Sequence, residues 1–312
     1  MADVKCTDEI NGRLKDIELI IFDVDGVLID TKPSFIETII ITAKFYINDT
    51  LNLPADLSGL RISDAMDFKS YSGFNNDWNL TTALVAFLLY KYRSDNGEIG
   101  NHEFLGEVDK LSGGMEGVQA YINKVIDKEN FEWIYEKVDH ELIKKTFQEF
   151  YAGDEYCESL YGYEPSIYNG TGTITNEIVL LDTGVFAGWK GKAGILTGRY
   201  EKETDIAIEM TGLKDIDMEL VQYADYILPD KPHPAKMEKI INNSGSRSVL
   251  FIGDSIDDFL TTVNYNKLGF DTSLLFGLVN DPDSDYPEKA EEFSAESVND
   301  LLEYVIDIQR VK

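Results

Sequence analysis

The chain has 312 residues, 43% of them hydrophobic, enough to bury a large core and to form two lobes. Its 57 acidic residues against 28 basic ones give a net charge of -29, a field that excludes broad contact with nucleic acid or anionic lipid. Two cysteines, Cys6 and Cys157, are too few and too far apart for a disulfide framework or a zinc site, and no apolar run approaches membrane-spanning length.

Residues 1–16 read as an irregular or helical extension that carries no chemistry. The N-terminal stretch is polar and lacks an apolar signal core, so the expected compartment is the cytoplasm. There the Asn-x-Ser/Thr triplets at Asn48, Asn79, Asn169 and Asn242 are chance matches. The apolar run of residues 19–22 predicts a strand buried on both faces, the environment of a parallel sheet. It ends in Asp23-Val24-Asp25-Gly26, at the strand end where open α/β sheets bind ligands. Two acids at i and i+2 project to one side of an extended segment and repel each other, a conflict that a divalent cation removes.

From Pro33 the period turns helical, with Phe35, Ile36, Ile39, Ile40, Ala43 and Ile47 recurring at three- and four-residue spacing. Further helices are expected at 81–92, 117–125, 131–137 and 140–151, with no strand of comparable strength between them. After about residue 173 strand and helix alternate: strands at 193–197, 224–228, 249–253 and 273–279, helices at 202–211, 233–242, 257–265 and 298–308. This alternation predicts an α/β fold with a doubly wound parallel sheet. The acidic stretch 281–292 reads as a solvated loop.

Three later strand ends carry chemistry. Thr197, followed by Gly198 and Arg199, presents a hydroxyl and backbone N–H groups that suit a phosphoryl oxygen; a hydroxyl capping the next helix is the alternative. Lys231 emerges from Asp230-Lys231-Pro232-His233-Pro234, where two prolines hold the chain extended and allow a helix to start behind them; His233 reads as structural or exposed. Gly253-Asp254-Ser255-Ile256-Asp257-Asp258 repeats the logic of the first acids, and hard oxygen ligands of this kind suit Mg²⁺. For Asp257 and Asp258 the alternative is a favourable interaction with the helix dipole. Against a charge of -29, an anionic ligand needs local cations: Lys231, Arg199 and a metal are the candidates.

Taken together, Phe22-Asp23-Val24-Asp25-Gly26-Val27, Thr197, Lys231-Pro232-His233-Pro234 and the Gly253 to Asp258 segment resemble, in order, the four motifs of the haloacid dehalogenase superfamily. The resemblance covers the core around residues 18–28 and 193–260. It implies a doubly wound, Rossmann-like core of residues 1–32 and 174–312, with an inserted, mainly helical cap domain of residues 33–173 of the subclass I kind. It also implies a Mg²⁺-dependent phosphohydrolase acting on a small phosphorylated metabolite. In that reading Asp23 is the nucleophile, Asp25 the acid and base, and Thr197 and Lys231 hold phosphoryl oxygens. Asp23, the Asp25 carbonyl and Asp254 ligate the metal, with Asp258 in support. A sugar phosphomutase of the same fold and a catalytically silent binder are the rival readings, while a metal-free dehalogenase is disfavoured by Asp25 together with Asp254.

Within the expected cap, Tyr71-Ser72-Gly73-Phe74-Asn75-Asn76-Asp77-Trp78 either orients a polar ligand, through Asn75 and Trp78, or plugs the cap core with its aromatics. Ser112-Gly113-Gly114-Met115-Glu116-Gly117 either lets backbone approach a ligand or forms a turn. The preferred substrate and the oligomeric state have no signature in the sequence.

Overall fold

The computed structural model describes residues 4–71, 73–74, 76–94, 99–225, 227–280 and 286–310. It divides into two compact units, Met1–Asp30 with Ile178–Lys312, and Thr31–Glu177. The expected ligand residue Asn75 and residues 281–285 of the expected acidic loop lie outside the described residues.

The first unit is α/β. Its strands are β1 (Lys5–Cys6), β2 (Leu19–Phe22), β3 (Ile29–Asp30), β4 (Ile178–Val179), β5 (Lys192–Tyr200), β6 (Val221–Ala224), β7 (Ser248–Gly253), β8 (Ser273–Val279) and β9 (Phe293–Ala295). Seven of them form one sheet in the order β1-β9-β8-β7-β2-β5-β6. All neighbours in it are parallel except β1, which runs antiparallel to β9. β3 and β4 pair separately and antiparallel.

Why the sheet is covered on both faces is visible in β2. All four of its residues are buried, and they alternate between two cores as the pleat requires. Ile20 and Phe22 pack with Leu250, Ile252, Ala207, Ile208, Leu301 and Val305. Leu19 and Ile21 pack with Val249, Phe251, Met237, Ile240 and Ile241. One face is thus covered by the helices Glu201–Met210 and Val298–Arg310, the other by Ala235–Ser244. Each such side chain contributes about 1.5–3 kcal/mol by leaving water, so β2 is pinned in the middle of the sheet with its C-terminal end set for chemistry.

The structure corrects several expectations. The N-terminal segment contains the expected kind of helix, Asp8–Leu14, but also the edge strand β1, and the short strands β3, β4 and β9 had no legible period because two or three residues cannot display one. The strand expected at 224–228 lies earlier, at Val221–Ala224. Asp225 ends it: its carboxylate accepts the amides of Ile227 and Leu228, both at 3.0 Å, which turns the chain out of the sheet. β5 runs past Thr197 to Tyr200, so Gly198 and Arg199 belong to a strand rather than a turn.

The second unit is helical: Glu37–Phe45, Ile62–Lys69, Asp77–Arg93, Asn101–Asp109, Gly114–Val125, Lys128–Tyr135 and His140–Tyr161. The helices Ile62–Lys69 and Asn101–Asp109 were not foreseen. Phe68, Phe74, Phe87 and Phe104 are all buried, and the Phe68 ring meets each of the other three, so Phe74 of the Tyr71 to Trp78 stretch plugs the core. The glycines of the other stretch serve the chain's own backbone: Gly114 sits against Gly73, where a Cβ on Gly73 would lie 2.8 Å from the Gly114 amide nitrogen. The last helix, His140–Tyr161, is broken at Gly153, whose φ of 63° is left-handed. Among the described residues no helix is long and apolar enough to cross a membrane.

Candidate active site

Asp23 leaves β2 buried, its amide donating to the Ile252 carbonyl of β7 at 2.9 Å. Since β7 is the parallel neighbour of β2, the acids that follow β7 emerge beside it. Carboxylate oxygens of Asp23, Asp254 and Asp258 lie within 4.8 Å of one another. Room for Asp254 is made by Gly26, which has φ +77° and where a Cβ would fall 1.9 Å from an Asp254 carboxylate oxygen. Gly253 does the same for Asp258, whose Cβ would be 2.4 Å from the added atom. The glycines of both motifs therefore have a shared steric reason.

Among the described residues, one lysine enters this cluster. Lys231 Nζ is 2.9 Å from Asp23 Oδ1 and donates to Asp258 Oδ1 at 2.7 Å. Asp258 is fully committed: its Oδ2 accepts from the Ser255 hydroxyl at 2.6 Å and amide at 3.1 Å. Because both oxygens are engaged, Asp258 orients Lys231 and closes the cap of its own helix, Ile256–Asn266. Asp257, its neighbour, is pushed above the usual carboxylate range by burial and by Asp258.

The electrostatics of the cluster are unbalanced. Burial, followed by Asp258 and Asp25, outweighs the attraction of Lys231 and leaves the Asp23 carboxyl pushed up to about 7. Asp254 is raised well above the ordinary range, first by burial and then by Asp258 and Asp23. Burial by itself would pull the Lys231 ammonium down, but Asp23 and Asp258 hold it above its usual value. Two buried carboxylates and one half-buried one gathered around one ammonium form a hard-oxygen donor set with more negative than positive groups, the chemistry that suits Mg²⁺.

The remaining predicted residues fall in three places. Thr197 is buried on β5, beside β2, and its Oγ1 accepts the Arg199 amide at 3.1 Å; Gly198 between them is exposed. Arg199 was expected to hold a phosphoryl oxygen, but its buried guanidinium turns to Asp25, Nε donating to Oδ1 at 2.8 Å. Asp25 accordingly stands apart from the three-carboxylate group. Trp78 belongs to the helical unit, in the first turn of Asp77–Arg93, with the Lys144 ammonium 4.2 Å from its ring centroid. His233 is exposed and accepts the Ala235 amide through Nδ1 at 3.2 Å. Both cysteines are free thiols.

Sequence reasoning missed Lys236. This buried lysine donates to the Tyr223 carbonyl at 2.8 Å and to Asp230 at 2.5 Å, and lies 3.6 Å from Asp225. It ties the end of β6 to the residue before Lys231. Asn264 adds a second tie by donating to the Pro232 carbonyl at 3.0 Å. The available signal was a lysine four residues before Ile240, on the apolar face of its helix.

The profile of the haloacid dehalogenase-like hydrolases matches residues 17–261. Among solved structures, the phosphatase Tt82 from Thermococcus thioreducens is 22% identical, with a TM-score of 0.60 over 93% of this chain and 99% of that one. A structural-genomics target solved by X-ray diffraction is 17% identical, with a TM-score of 0.59 over 84% of this chain and 90% of that one. At such identities these likenesses show the fold. No curated protein matches the chain.

Proposed function

From the premise that the chain belongs to the haloacid dehalogenase-like hydrolases, we propose that it is a Mg²⁺-dependent phosphohydrolase that cleaves small phosphate monoesters through an aspartyl-phosphate. The observation that carries the reading is the cluster of Asp23, Asp254 and Asp258 with a single lysine, at the C-terminal ends of adjacent parallel strands.

Asp23 is the nucleophile. Its carboxylate oxygen bonds to phosphorus as the bond from phosphorus to the ester oxygen breaks, and Asp25 gives its proton to the departing alkoxide. Asp25, now ionised, takes a proton from water as that water attacks phosphorus, releasing inorganic phosphate and regenerating Asp23. Thr197, with the backbone N–H of Gly198, receives phosphoryl oxygens, and Lys231 neutralises both Asp23 and the transferred group. Asp23, Asp254 and the Asp25 carbonyl are the residues that would hold Mg²⁺. When bound it supplies the positive charge that the cluster lacks and that a phosphoryl group in transfer requires. In this reading the helical unit, Thr31–Glu177, selects the leaving group. The phosphatase named among the structural likenesses is consistent with this chemistry.

The test is phosphate release from a panel of phosphate monoesters, with and without Mg²⁺, by the native chain and by Asp23→Asn. Mg²⁺-dependent multiple turnover that falls at least ~10³-fold in the variant is expected. A native chain that binds Mg²⁺ and inorganic phosphate yet releases none from any ester would overturn the reading.

A further inference from the structure

Two acids two residues apart do opposite work in the proposed reaction, and the structure gives each its own cation. Asp23 faces Lys231 at 2.9 Å. Asp25 faces Arg199, whose side chain is 1% exposed while that of Asp25 is 37% exposed. The asymmetry is informative. A surface ion pair leaves a long arginine side chain free to reach water, and burying the guanidinium instead carries a desolvation cost. Here the arginine is the buried partner and the carboxylate the open one.

We infer that Arg199 is a positioning residue for the acid and base Asp25: it holds one carboxylate oxygen, Oδ1, from below and leaves the other directed to the leaving group. The inference rests on the phosphohydrolase reading and adds a residue to it. Three features fix the arrangement. The guanidinium is rigid and planar, so a bond from Nε sets direction as well as distance. The Arg199 backbone is anchored, since its amide donates to Thr197 Oγ1 at 3.1 Å. The loop carrying Asp25 is anchored as well, with the Gly26 amide donating to the Ile29 carbonyl at 2.8 Å and Asp25 bridged to Ile29. Arg199 also keeps the Asp25 carboxylate from joining Asp23, Asp254 and Asp258, where a fourth negative charge would compete for Lys231.

The consequence is specific to the leaving group. An alkyl ester needs a proton on its departing oxygen, whereas a nitrophenyl ester leaves well without one. The value of kcat/KM reports only the steps through departure of the alcohol, which separates proton donation from the later attack by water. The experiment measures kcat/KM for an alkyl phosphate and for 4-nitrophenyl phosphate in the native chain, Arg199→Gln, Arg199→Lys, Asp25→Asn and the Arg199→Gln, Asp25→Asn double variant, all with saturating Mg²⁺. Native turnover of both esters, lost in Asp23→Asn, establishes the reaction first.

Arg199→Gln is expected to lose about 10²-fold on the alkyl ester and less than roughly fivefold on the nitrophenyl ester, the size of a general-acid contribution. It should also show a burst of nitrophenolate, because water attack on the aspartyl-phosphate needs the same carboxylate as base. The double variant should be no slower than Asp25→Asn alone, as for residues acting as one unit, and Arg199→Lys should recover part of the alkyl activity. Mg²⁺ affinity, read by thermal shift, should stay within about twofold of the native value, which a disordered site would not preserve. Equal losses on both esters, additive with Asp25→Asn, would place Arg199 on the phosphoryl group and overturn the inference while leaving the phosphohydrolase reading standing.

Discussion

The two units each bury carboxylates, and they treat them in opposite ways. In the helical unit Glu149 has no exposed side-chain surface, yet it accepts the amides of Ser166, Ile167 and Tyr168 at 2.8, 2.5 and 3.0 Å and the Ser166 hydroxyl at 3.3 Å. Lys145 stands 3.8 Å away. Its charge is met by donors that the fold itself supplies, and its work is to fasten the segment after His140–Tyr161 onto that helix. In the α/β unit Asp23, Asp254 and Asp258 are gathered around one lysine, and Asp23 and Asp254 are both pushed up by burial and mutual repulsion. An acid surrounded by amides is a fastener, whereas acids gathered around one another repel and hold their protons more tightly.

Three measurements can break that contrast. The largest effect is expected from Lys231→Met, which removes the ammonium facing Asp23 and Asp258. Steady-state phosphate release should fall about 10³-fold, equivalent to ~4 kcal/mol of barrier, with the Mg²⁺-bound protein still folded by circular dichroism. A variant within tenfold of native turnover would show that Lys231 is a structural ion pair of the same kind as the Glu149 contacts.

Next comes Glu149→Leu, which strands three backbone donors in the helical unit. Chemical denaturation should show a loss of about 3 kcal/mol, the same with and without Mg²⁺. A loss that Mg²⁺ reverses would give Glu149 a part in the site and erase the distinction drawn here.

The smallest effect is the response of the α/β unit to pH and metal. Folding raises the Asp23 carboxyl from an ordinary value of 3.8 to about 7, so between those values the folded chain holds a proton that the unfolded chain has released. Stability from this group is therefore greatest at the acid end and declines as pH rises through that window. The metal-free native chain should lose more stability than Asp23→Asn between pH 5 and pH 8, and Mg²⁺ should restore it. At a hundredfold excess over its Kd the metal contributes about 2.7 kcal/mol, with the larger melting shift at pH 8. An equal shift at both pH values would remove the carboxylate cluster as the seat of binding.

How much of this was legible beforehand follows from what each feature depends on. A strand end carrying acids and a glycine is local information: an apolar run, a polarity change and a turn-forming residue are contiguous in sequence. That is why Asp23, Thr197, Lys231 and Asp254 could be singled out, and why the alternation after residue 173 predicted a parallel sheet, which β2, β5, β6, β7, β8 and β9 form. Short elements failed for the complementary reason, since β1, β3 and β4 are two residues each and exist because a distant partner offers its backbone. β6 moved because the Asp225 side chain takes the next amides, an option that apolar patterning does not register.

By itself, then, the sequence determined which residues carry the motifs, and with them the family, because chain-local chemistry is enough to single them out. Only the tertiary structure decided which charge faces which. That Lys231 is shared by Asp23 and Asp258, that Lys236 secures the approach to it, and that Arg199 turns to Asp25 all depend on side chains meeting across 6 to 208 residues of sequence. Coulomb attraction and desolvation act over distances in space, and separation along the chain does not report them.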